Sequence, residues 1–127
     1  MPKLFLVLGA LASMLGVMFG AFGAHALRAR LTPDLLAIYQ TAVQYHFWHA
    51  LGLLLIGVIA IQMPASSMLK WAGWLMLAGI VLFSGSLYAL AITGARWLGA
   101  ITPFGGVAFI VSWALVAVAV ARATLPG

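Results

Sequence analysis

Four apolar blocks set the terms for this chain. Leu4–Ala24, Ala42–Ile61, Trp71–Ile92 and Phe104–Ala121 each run close to the length a helix needs to cross a bilayer, about 20 residues. Period-2 alternation of the barrel kind is missing from all four, so the blocks read as helices. The charged residues lie outside them. Six Lys and Arg and a single acid, Asp34, are all that 127 residues carry, against 66% hydrophobic residues. So few charges do not cover a water-soluble sphere, and so apolar a chain does not stay disordered. The length suits one domain, residues 1–127. The fold class expected is an all-α membrane protein, a compact four-transmembrane-helix bundle.

The net charge of +5 does not indicate a nucleic-acid partner. Lys3, Arg28, Arg30, Lys70, Arg96 and Arg122 are scattered singly or in pairs, with no basic stripe to track phosphates. They flank the apolar blocks, as cations do around membrane spans. With no Cys, disulfides, thiolate metal sites and Cys nucleophiles are excluded. The first block has some signal-peptide character, with Lys3 ahead of it and Ala24-His25-Ala26 after it. Its apolar run is longer than a signal core of about 7–15 residues, so it is expected as a span, about 4–24.

Thr32-Pro33-Asp34 reads as a helix start, with Thr as the cap, Pro at the first position and Asp in the first turn. Asp34 is then expected to meet the first-turn amides and Arg30. No Gly or Pro interrupts residues 34–51. A short interfacial helix at about 33–41 is therefore expected to run into the second span, 42–61, with Leu31, Leu35, Ile38 and Ala42 on one stripe. Pro64 with two Ser marks a turn before the third span, 71–92. Thr93-Gly94 and Thr102-Pro103 mark a stop and a start before the fourth, 104–121. Trp71, Trp74 and Trp97 fall near block ends, where aromatic belts form, whereas Trp48 and Trp113 lie deeper and read as packing residues.

Small residues recur at helical spacing. Ala12, Gly16, Gly20 and Ala24 lie four apart, with Gly9 and Gly23 on the neighbouring face. Gly79, Gly105 and Gly106 offer similar close-approach points in the third and fourth blocks. Such faces let helix backbones meet within one bundle or between copies, and packing of the bundle itself is the preferred reading.

Antiparallel threading puts most of the polar side chains in one half of the membrane. His25, Tyr45, His46, His49, Tyr88 and Thr102 share that half with Arg28, Arg30, Asp34 and Arg96. Ser84 and Ser86 belong with them by position in the third block. His46 and His49 lie three apart on one helical face, at a depth where ionisable groups turn inward. Three chemistries compete for such a group: interhelical hydrogen bonding, a proton or small-ligand pathway, and a metal or haem site. One carboxylate cannot make an acid–base pair, and Phe83-Ser84-Gly85-Ser86 lacks the Gly-x-Ser-x-Gly elbow.

Gly20-Ala21-Phe22-Gly23-Ala24-His25-Ala26-Leu27 resembles the signature of the DUF423 family, small membrane proteins of unknown function with bacterial YgdD-like members and a eukaryotic relative, transmembrane protein 256. Tyr45 with His49-Ala50-Leu51, Phe83-Ser84-Gly85-Ser86-Leu87-Tyr88, and Ile101-Thr102-Pro103-Phe104-Gly105-Gly106 followed by Trp113 extend the resemblance from Leu4 to about Ala121. It implies a four-helix bundle in a bacterial inner membrane and no enzyme activity, since none is established for the family. The polar positions it carries over are His25, Tyr45, His49, Ser84, Ser86, Tyr88 and Thr102; His46 is not among them.

The expectation is therefore an integral membrane protein without an assignable reaction, catalytic residue, metal or cofactor. Its polar cluster, centred on His25, Tyr45, His49 and Tyr88, is structural first and a proton or small-ligand site second. The rivals are an accessory subunit or self-associating protein, packing through Gly/Ala faces, and a metal or haem protein built on the histidines. Membrane lipids are the expected surroundings, with a homo-oligomer or larger membrane complex as candidate partners and no nucleic acid. Lys3, Lys70 and Arg122 fall on one side and Arg28, Arg30 and Arg96 on the other, so the positive-inside count does not orient the chain.

Overall fold

The computed structural model describes residues 1–125 and contains four helices long and apolar enough to span a bilayer. We label them α1 (Pro2–Leu27), α2 (Pro33–Gln62), α3 (Ser67–Thr93) and α4 (Thr102–Arg122). Each extends several residues beyond its apolar block, because helix geometry continues until a cap or breaker ends it. The 33–41 helix runs into the second span as expected: it forms the first turns of one uninterrupted α2, since nothing between Pro33 and Gln62 breaks the backbone ladder. Thr32 caps it, its Oγ1 accepting from Leu35 N at 3.2 Å. Ser66 caps α3 in the same way through Leu69 N.

Gly94 ends α3 in the left-handed conformation at φ +73°, and its N–H donates to Leu90 O at 2.7 Å, the hydrogen bond that closes the last turn. A 3₁₀ turn over Arg96–Ala100, with no distinct sequence signal, then carries the chain to α4. Two π-helical turns interrupt the regular ladder, Gly23–Leu27 at the end of α1 and Ile80–Ser84 within α3.

The central helix is α2. It packs along α1 on one side and against α3 on the other, and α4 packs on α3. Phe5, Ala12, Ala50, Leu53, Ile56, Ala72, Met76, Ile80 and Phe109 form the main apolar core. The buried residues of α1 are Phe5, Gly9, Ala12, Gly16, Gly23 and Leu27, one stripe at three- and four-residue spacing that faces inward. The opposite face of α1, with Leu4, Val7, Leu11, Met14, Val17, Met18 and Phe22, is exposed for contact with lipid.

The small-residue face of α1 is occupied inside the molecule. A Cβ on Gly9 would stand 2.8 Å from Leu54, one on Gly16 3.0 Å from Phe47, and one on Gly20 3.4 Å from Val43. Gly23 lies against the ring of Tyr39 and Gly79 against that of Phe109, while Gly106 makes ordinary contact with Phe83. Ala24 departs from the pattern and is exposed, because each four-residue step overshoots a 3.6-residue turn and the series drifts off the buried stripe. Trp48 and Trp113 also differ from expectation. They are 55% and 40% exposed, so both present ring surface outward although they sit deep in their helices.

Candidate functional site

The polar groups of the spans are tied to neighbouring helices or to their own backbone rather than pooled around a cavity. His46 is the centre. Its Nε2 stands 2.8 Å from Ala12 O of α1, and its Nδ1 stands 2.8 Å from Tyr88 Oη of α3. A carbonyl only accepts, so Nε2 carries the proton and the neutral ring accepts at Nδ1 from the Tyr88 hydroxyl. One side chain thus joins three helices. Gly16 lies beside this centre: a Cβ there would make ordinary contact with the His46 ring, 3.7 Å from Nε2, and a tighter one with Phe47.

Other ties follow the same plan. Tyr39 donates to Phe19 O at 2.5 Å, joining α2 to α1. Ser84 donates to Ala42 O at 2.8 Å and Ser112 to Ala72 O at 2.6 Å, joining α3 to α2 and α4 to α3. Ser86 Oγ donates to Phe83 O at 2.9 Å and stands 2.6 Å from Thr102 Oγ1, so the Thr hydroxyl is the donor of that second bond. At the same place Gly105 presses on the backbone of Phe83 within the π turn. The Phe83–Tyr88 and Ile101–Gly106 segments, far apart in sequence, are locked to each other. Among the described residues, no buried side-chain nitrogen or oxygen lacks a partner.

The seven residues singled out from sequence do not form one site. Tyr88 belongs to the His46 centre, and Ser84, Ser86 and Thr102 belong to the ties. Tyr45 and His49 lie one turn apart with near-parallel rings, centroids 5.8 Å apart, and His49 stacks on Phe109 at 3.6 Å. His25 stands outside the cluster: it is exposed in the terminal π turn, where the chain leaves the bundle. Its place at the centre is taken by His46. The signal for His46 was its depth on the buried face; the family resemblance did not carry it.

The three histidines do not converge, and no group of three or more metal-ligating side chains comes together among the described residues. Asp34 bonds Arg96 at 2.5 Å rather than Arg30, tying the start of α2 to the connection before α4. Recesses open on the surface of the described residues. One of about 530 Å³ lies at the opposite end, around Met1, Phe5, Pro64, Lys70 and Trp74. Another, about 270 Å³, lies between α1 and α2 beside Gly20, Tyr39, Gln40 and Gln44. Neither contains the His46 centre.

Four apolar spans, with most of their buried polar groups closed onto one another, define a small integral membrane protein. The chain belongs to the DUF423 family, described as proteins of unknown function, whose model matches residues 19–106. It is 50% identical over 120 residues to UPF0382 membrane protein YwdK of Bacillus subtilis, covering 94% of this chain and 98% of the relative. It is 51% identical over 111 residues to UPF0382 membrane protein SH2409 of Staphylococcus haemolyticus, covering 87% and 89%. No solved structure matches it. Helical spans and bacterial membrane relatives place it in the inner (plasma) membrane of a bacterium.

Proposed function

We propose that this chain acts as a non-catalytic membrane protein whose one-sided polar cluster is an interhelical lock. The observation that carries the reading is His46, engaged at both ring nitrogens by groups on two other helices. A proton carrier needs a nitrogen free to exchange with a pathway, and here both are committed to the fold. The Ser and Tyr hydroxyls that donate to Ala42, Ala72 and Phe19 carbonyls support the same reading, since none faces a vacant reacting position.

His46→Ala and Tyr88→Phe in purified protein test it. Both variants lose thermal stability, corresponding to about 1–2 kcal/mol for an interhelical bond in a membrane, and proton flux in liposomes stays at the level of empty vesicles. Unchanged stability together with altered proton flux would overturn the lock and favour a pathway.

A further inference from the structure

His49 is the side chain that the lock leaves open. It is only 7% exposed. Its Nδ1 stands 2.7 Å from Tyr45 O, a group that only accepts, so Nδ1 carries the proton and Nε2 is a bare acceptor. No hydrogen bond reaches Nε2 within the described residues, yet the atom is not sealed in, since no unpartnered polar side-chain atom there is fully enclosed. The ring cannot turn away. Phe109 stacks on it at 3.6 Å with 14° between planes, Tyr45 lies parallel at 5.8 Å, and Trp113 tilts beside it at 6.0 Å.

The depth of this acceptor limits what can meet it. Gly9 of α1 abuts Leu54 and Gly16 abuts Phe47, so His49 is level with the middle of the 26-residue α1. That is the bilayer midplane, about 15 Å from either polar boundary of a core about 30 Å thick. Phospholipid headgroups do not reach it, and an unmet acceptor in hydrocarbon is costly. The occupant must dissolve in the membrane and bring an O–H or N–H. The rings beside His49 are Phe109, Tyr45 and Trp113, the last 40% exposed, and one turn away Tyr45 packs on Phe83 and on Trp48, 55% exposed, its hydroxyl without a hydrogen bond among the described residues. Such walls favour a flat aromatic ring over an aliphatic chain.

We propose that the seam between α2 and α4 binds a membrane-dissolved aromatic alcohol of the quinol class, whose hydroxyl donates to His49 Nε2. The bond needs the ligand's proton, so a ligand of the same shape without a donor loses it.

The full chain in phospholipid nanodiscs, kept anaerobic, is titrated with a prenylated 1,4-naphthoquinol and separately with its dimethyl ether. Quenching of tryptophan fluorescence reports binding beside Trp48 and Trp113. The quinol binds about tenfold more tightly than the ether, the worth of one buried hydrogen bond. His49→Phe, which keeps a ring on Phe109, removes that preference. Equal affinities of the native protein for quinol and ether overturn the proposal, whether or not the variant folds. A folded His49→Phe protein that keeps the tenfold preference also overturns it. So does cross-linking of a Trp48→Cys chain into dimers that the quinol does not disturb, which would show a second copy covering the seam.

Discussion

One methyl group has opposite consequences at two glycines brought near each other by the fold. A Cβ on Gly105 would overlap the backbone of Phe83, which cannot swing aside as a side-chain tip can. Gly105→Ala is expected to cost about 1–3 kcal/mol of stability, the range for overpacking. Gly85 has helical dihedrals, φ −59° and ψ −44°, and nothing within 4 Å of an added Cβ. Gly85→Ala is expected to leave the melting temperature unchanged or raise it, by up to about 1 kcal/mol of stability, because Ala loses less backbone freedom on folding. Parallel thermal melts of the two variants make the comparison. Both glycines are plain in the sequence, but their difference is not. It depends on which helix lies opposite, a contact between residues 22 or more positions apart.

At the scale of the helices, the sequence announced α2 from its start. Thr32, Pro33 and the absence of any breaker up to Gly52 were enough, because capping and propagation are local. It announced less about the face of α1. Small residues at four-residue spacing fit a neighbour in the same chain or in another, and the spacing is identical in both cases. The fold uses the face against α2. Gly16→Leu with Gly20→Leu is therefore expected to unfold the monomer, read as lost helical circular dichroism on mild heating. A folded monomer that has only lost a co-purifying protein would assign the face to a partner. The π turn at Ile80–Ser84 gave no sequence signal, since its extra residue is accommodated by Gly105 of a different helix.

For the whole molecule, four antiparallel spans put residues 3, 70 and 122 on one membrane face and 28, 34 and 96 on the other. The chain lacks cysteine, so single replacements test this directly. Lys3→Cys and Arg122→Cys should react with an impermeant maleimide from the same side of intact cells, and Arg28→Cys from the opposite side. The Asp34–Arg96 pair at that second face is about two-thirds exposed, with side-chain exposures of 65% and 63%. Asp34→Asn is expected to cost less than about 1 kcal/mol, and less again in high salt, because water screens the attraction. A larger loss in thermal melts would mean that the pair holds the α3–α4 connection in place.

Composition and block length by themselves determined the solvent, the number of spans and the caps, because hydrophobic transfer and helix initiation depend on residues close together in the chain. Threading direction, which follows from the number of spans, puts His46 and Tyr88 toward one end of the bundle, whereas His49 stands level with the middle of α1 and Ser112 bonds Ala72 toward the other end. Only the tertiary structure decided how those residues are used. It set His46 between Ala12 and Tyr88, left His25 outside, paired Asp34 with Arg96 and left one nitrogen of His49 without a partner among the described residues. A hydrogen bond needs its two atoms within about 3 Å at a suitable angle, and between helices that geometry is set by axial shift and rotation. Neither is written in the spacing of residues along one helix.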